Sequence, residues 1–146
     1  MSVRFFLIAL SVFLIAACAP VVPPTPKAAP FTLADTKWTL TSMVQNGATR
    51  TPPTGTEITL DFTSDGKVGG NSGCNSYGGT YEAQGEILKI SALVSTLMAC
   101  AESEKMDFEA AYVAGLQGAQ MFERTADQLS ITFGNGTGKL VFRPRS

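Results

Sequence analysis

The sequence predicts an α+β domain, a curved antiparallel sheet or partial barrel packed against one amphipathic helix. Three observations point there. Short segments of alternating apolar and polar residues recur from Trp38 to Phe142. Turn residues separate them, in a chain with 14 glycines and 8 prolines among 146 residues. A single stretch after Ser103 switches from the strand period to the helical one.

Residues 38–44 alternate loosely, and Asn46-Gly47 with Pro52-Pro53-Thr54-Gly55 marks a long turn. Residues 57–62 alternate strictly, with Ile58, Leu60 and Phe62 on one face. Ser64-Asp65-Gly66 reads as a hairpin turn into residues 67–70. After a loop around Cys74 comes a strand over 77–83, which Gln84-Gly85 turns into 87–90. Three more strands follow near the C-terminus, at 120–124, 129–133 and 139–142, with turns at Ala126-Asp127 and Asn135-Gly136.

The helix lies between the two groups of strands. Ser103 is the expected N-cap, and Glu104 and Asp107 suit the positive end of the helix dipole. At 100° per residue, Met106, Phe108, Tyr112, Val113 and Leu116 share one face. Glu109 falls inside that apolar stripe, where a carboxylate requires hydrogen-bond partners. Two roles are open to it: a general acid or ligand contact, or a structural acceptor of backbone N–H groups from a nearby loop. Gly115 and Gly118 are expected to end the helix.

The N-terminus carries an address. Arg4 precedes an uncharged apolar run from Phe5 to Ala17, with small residues at Ala16 and Ala17. That is the pattern of a secretory signal peptide over residues 1–17. At about 1.5 Å per residue the run reaches roughly 20 Å, short of the ~30 Å hydrocarbon core of a bilayer. Ile15-Ala16-Ala17-Cys18 resembles a bacterial lipobox. The resemblance implies lipidation of Cys18, and Ala19 in place of Asp implies the outer membrane, facing the periplasm. Residues 18–30 hold five prolines and read as an extended tether of up to ~35 Å. The folded domain is expected over residues 31–146.

Composition narrows the chemistry. There is no histidine, so the commonest general base and metal ligand is missing. Formal net charge is −1, and Lys and Arg are scattered singly along the chain, which offers nothing for nucleic acid. With Cys18 committed to lipid, Cys74 and Cys100 remain, and in an oxidising compartment two such cysteines tend to pair. The alternative is two free buried thiols. Without histidine the pair argues against zinc, and neither a metal nor a cofactor is expected.

Residues 69–81 are the most glycine-rich part of the domain. No Lys follows in a P-loop position and a strand, not a helix, comes next, so a phosphate cradle is not supported. Taken together, Trp38, the stretch from Val68 through Gly70, Asn71, Gly73, Cys74, Asn75 and Tyr77 to Tyr81, Thr96-Leu97-Met98-Ala99-Cys100, Glu109 with Tyr112 and Leu116, and Leu140-Val141-Phe142 resemble the META domain, also called the HslJ-like domain. Leu97 departs from the Arg frequent in similar sequences. The resemblance implies a small α+β domain, frequent on envelope lipoproteins and loosely associated with heat-shock response and drug tolerance. It implies no catalytic residues.

The expected function is therefore a non-enzymatic, monomeric envelope lipoprotein acting through contacts with an envelope protein partner, in envelope maintenance or stress tolerance. A small-ligand-binding module with an apolar pocket near Trp38, Tyr77 and Tyr81 is the alternative. An enzyme ranks last: Ser72 and Ser76 have no histidine base and no nucleophile elbow, and nothing in the spacing brings Glu82 within reach of Glu109 to act on a glycan.

Overall fold

The structure, a computed structural model, describes residues 32–98 and 100–146. The expected signal peptide, Cys18 and the proline tether lie outside the described residues. Among the described residues, nine strands and one α-helix follow in the order β1 (Thr36–Gln45), β2 (Ala48–Arg50), β3 (Thr59–Phe62), β4 (Lys67–Asn71), β5 (Ser76–Gln84), β6 (Ile87–Ser95), α1 (Ser103–Gln117), β7 (Ala119–Arg124), β8 (Leu129–Phe133) and β9 (Gly138–Pro144), with a 3-10 turn at Gly134–Gly136 between β8 and β9.

All pairings are antiparallel, and β1 bonds to both β3 and β9. The sheet thus closes on itself as an eight-stranded barrel, with β2 added to β1 as a short hairpin. This corrects the expectation of a curved sheet or partial barrel packed on a helix. Closure depends on register between residues far apart in sequence, Trp38 opposite Pro144 through Gln45 opposite Gly138. It removes the unpaired edges that an open sheet would present to other chains. A bulge between Leu40 and Ser42 lets β1 bend enough to serve both neighbours.

An eight-stranded barrel is just wide enough for side chains to fill, and here they do. Trp38, Leu40, Met43, Leu60, Phe62, Val68, Leu88, Ile90, Leu129, Ile131, Leu140 and Phe142 all belong to one buried cluster. Alternation along each strand puts these residues inside and their polar neighbours outside.

Most predicted strands are found with ends shifted by a residue or two. Three differences are larger. Asn46-Gly47 is a two-residue hairpin turn with both residues at positive φ, so β2 follows it directly in place of a long turn. The strand read as 87–90 runs on to Ser95, past a bulge where Ala92 has φ 52°. Ser103 is the first helical residue, not the cap; Glu102 takes that place without a side-chain hydrogen bond.

Helix α1 buries Phe108, Glu109, Tyr112, Gly115 and Leu116, whereas Met106 is 44% exposed. Gly118 ends the helix as expected, but Gly115 sits inside it. A Cβ at Gly115 would stand 3.2 Å from the Phe133 ring, so glycine there serves close packing. The helix reaches the start of β3 through Tyr112, the β4–β5 loop through Glu109 and the end of β8 through Gly115. These points share one end of the barrel, so α1 lies across that end.

Candidate functional site

Among the described residues, the helix end holds a buried polar network centred on Glu109 and Asn75. Its base is the close approach of β3 and β4: a Cβ at Gly70 would stand 2.2 Å from the Thr59 carbonyl oxygen. Glycine lets the strands converge, and the Asn71 N–H then reaches Thr59 Oγ1 at 2.9 Å. The chain next turns through Gly73 at φ 117°, closed by Asn71 Oδ1, which accepts the Gly73 N–H at 2.8 Å.

This turn presents Ser72 and Asn75 to the helix. Glu109 Oε1 accepts the Asn75 N–H at 3.1 Å and the Ser72 hydroxyl. Glu109 Oε2 accepts Asn75 Nδ2 at 3.1 Å. The Glu109 carboxylate is thus an acceptor for loop donors, one of them backbone, in a site 8% exposed. Ser72, named above as a possible nucleophile, is fully buried beneath it; the Ser72 hydroxyl also lies 2.8 Å from the Asn75 carbonyl.

Asn75 spends its whole amide on this end. Nδ2 donates to Glu109 and to the Met98 carbonyl at 3.2 Å, while Oδ1 accepts the Thr96 hydroxyl at 2.8 Å and the Met98 N–H at 2.7 Å. Two donors and two acceptors are all that such an amide offers. Thr96 Oγ1 in turn accepts the Ser76 N–H at 3.2 Å. Beside the clamp, Cys74 and Cys100 form a disulfide with a Cα–Cα distance of 5.9 Å. The glycine-rich loop, the segment after β6 and the helix are therefore bound as one unit.

A second contact, which the sequence reading overlooked, fastens the helix to the barrel wall. The Tyr77 and Tyr112 hydroxyls meet at 2.8 Å, and Tyr77 donates to the Thr59 carbonyl at 2.7 Å. Burial pushes both phenols well above their ordinary pKa, which keeps them protonated. The helical spacing of Tyr112 from Phe108 signalled a buried ring, but nothing local named its partner.

Gly70, Asn71, Gly73, Cys74, Asn75, Thr96, Cys100 and Glu109 thus gather at the helix end. Trp38 and Tyr81 do not join them. Trp38 lies opposite Leu60 and Pro144 near the other end, where its indole N–H donates to Thr36 Oγ1 at 2.8 Å. Tyr81 stacks edge-on against Phe62 at 4.8 Å and donates to the Thr63 carbonyl. Glu82 stands opposite Lys89 in the β5–β6 pairing, away from Glu109. Trp38 and Tyr77 belong to the buried core cluster, and Tyr81 packs against it partly buried.

One recess of about 580 Å³ lies on the outer surface, where the loop after β2 crosses β1. Thr39, Thr41, Thr56, Glu57 and Arg143 supply its polar lining. Among the described residues no group of three or more Cys, Asp or Glu is placed to hold a metal, and no helix is long and apolar enough to cross a membrane.

The META domain family matches residues 31–146. The fold is similar to the NMR structure of a protein from Burkholderia xenovorans, with a TM-score of 0.66 and 30% identity over 86% of this chain and 99% of that one. A second NMR structure is 20% identical, with a TM-score of 0.60, over 80% of this chain and 95% of the other. A DUF4847 family protein from Bacteroides vulgatus shares the fold at 14% identity and a TM-score of 0.53, over 76% of this chain and 93% of its own. No curated protein matches the chain.

Proposed function

We propose, from the premise that this chain belongs to the META domain family, that it is a lipid-anchored envelope protein acting through contacts with other envelope proteins and not through catalysis. The observation that carries the reading is the state of Glu109. Both its oxygens are engaged by Ser72 and Asn75, and the donors that hold it are themselves tied to the disulfide-linked loop. A carboxylate so committed is a bracing group, poorly placed to trade protons with a substrate. Ser72, the nearest hydroxyl, lies under the same brace without access from solvent.

The anchor rests on the lipobox-like residues ending at Cys18. With the lipid in the outer membrane and the proline tether behind it, the barrel would work as a monomeric module on the periplasmic side. Its surface is then the working part. Envelope maintenance and stress tolerance are the settings that the family suggests.

Proximity labelling from the anchored full-length protein tests this. Enrichment of a specific envelope protein supports the reading. An unlabelled neighbourhood, with unchanged envelope stress tolerance on deletion, would sink it. Hydrolysis of cell-wall glycan by the purified protein, abolished by Glu109→Gln, would replace it with an enzyme.

A further inference from the structure

Two strands share one edge of β1 and leave a gap between them. Strand β3 pairs with residues 36–39 and β2 with residues 43–45, while β9 takes the opposite edge. In the gap the loop from β2 to β3 crosses β1, and its Ile58 carbonyl accepts the Leu40 N–H at 2.9 Å. The outer recess of about 580 Å³ lies here. Its lining sets opposite charges on either side of one threonine. Arg143 on β9 stands opposite Thr39 in register, and Thr39, 7% exposed, donates its hydroxyl to Glu57 Oε1 at 3.3 Å. Arg143 and Glu57 thus flank the same residue, yet no ion pair joins them. Among the described residues the Arg143 guanidinium has no partner.

The hydroxyls of the lining narrow what can bind. Thr39 donates to Glu57, and Thr41 donates to the Val141 carbonyl at 2.9 Å, so each has only lone pairs left to offer. The recess therefore presents acceptors from Glu57, Thr39 and Thr41, and one fork of donors from Arg143. Thr56 adds a buried hydroxyl with no partner among the described residues, a cost that a bound polar group would relieve.

We propose that this recess binds a short peptide with free ends, its carboxylate held by Arg143 and its ammonium by Glu57. A ligand carrying both charges satisfies the site where a simpler ion does not. A plain anion leaves the acceptors unpaired, and a plain cation meets the charge of Arg143. A carboxylate matches the guanidinium fork in two parallel hydrogen bonds, whereas a phosphate dianion would face a single cation. The ammonium has a donor for each of the Glu57, Thr39 and Thr41 oxygens. The volume falls within the ordinary range of small-ligand sites. Glu57 and Arg143 are exposed to solvent, so the Kd expected is modest, on the order of 1 mM. The site needs no lipid anchor and stands apart from the proposed envelope role.

NMR of the full-length protein in detergent tests it, by titration with L-alanyl-L-alanine. Saturable shifts are expected at the amides of Thr39, Thr41, Gly55 and Thr56. Acetylating the peptide amine or amidating its carboxylate should each weaken binding about ten-fold, as should Glu57→Gln and Arg143→Gln. The amidated peptide should lose nothing further in Arg143→Gln, since the partner of that side chain is already gone. Glu82→Gln, on β5, should leave binding unchanged. Absence of saturable shifts, equal binding of the doubly blocked peptide, or tighter binding of phosphoethanolamine would overturn the proposal.

Discussion

The two ends of the barrel are closed by different means. At one end a helix is braced by hydrogen bonds, a disulfide and a pair of buried phenols that join residues far apart in sequence. At the other, the short stretch before β1 folds over the opening and inserts Leu33, 1% exposed, into the core. Thr36 holds that stretch by donating to the Leu33 carbonyl at 2.6 Å, and Trp38 donates to Thr36 in turn. Arg124 completes it, with its guanidinium 5.4 Å from the centre of the Trp38 ring and a hydrogen bond to the Thr32 carbonyl. The first end is held by a buried polar network and a disulfide, the second by one buried leucine with part-buried and exposed hydrogen bonds around it. The lesson is that a small barrel can be capped without a buried polar network, so the costly buried polarity of the helix end has a narrower purpose. It sets the position of the loop, the segment after β6 and the helix relative to one another.

The largest effect should come from the helix end. Replacing Cys74 and Cys100 by Ala removes a cross-link spanning 26 residues and should cost roughly 3.5 kcal/mol in urea unfolding. If the contrast between the ends holds, amide exchange in that variant will rise at the helix end first. Uniform acceleration across all strands would break the contrast.

Leu33→Ala should cost about 3 kcal/mol through lost burial and a residual cavity. Here faster exchange is expected across β1, β3 and β9, with the Asn75 clamp retained. Glu109→Gln should cost about 2 kcal/mol, because the new amide N–H₂ points a donor at donors from Ser72 and Asn75. A loss under about 0.5 kcal/mol would mean that the brace contributes little to stability.

Alkaline pH gives the mildest probe. Tyr77 and Tyr112 are protonated in the folded state to a higher pH than in the unfolded chain, where the phenol pKa is 10.0. Their contribution is complete below that value and declines as pH rises past it towards the folded pKa. Stability should therefore fall from about pH 10 upward, and Tyr112→Phe should flatten the slope. An unchanged slope in that variant would remove the phenol pair from the account of the helix end.

Much of this was legible from local pattern. Strict alternation at Ile58, Leu60 and Phe62 placed β3, and helical spacing of Phe108, Tyr112 and Leu116 placed the buried face of α1. Glu109 stood out because a charge inside an apolar stripe needs partners. Met106 and Gly115 misled: the stripe assumed a broad packing face, whereas a helix lying across a barrel end buries a narrow one. Asn75 entered only as part of the family resemblance, and its clamp on Thr96 and Met98 could not be inferred, since about twenty residues of intervening hairpin set that distance.

By itself, then, the sequence determined which segments are strands and which is helix, the family, and that one carboxylate must be satisfied internally. These follow from side-chain period and turn chemistry, which act over a few residues. Tertiary structure alone decided that β1 meets β9, that the helix caps an end, and that Glu57 and Arg143 flank one threonine. Those outcomes depend on strand register between distant residues, and register is fixed only when every strand of the barrel is in place.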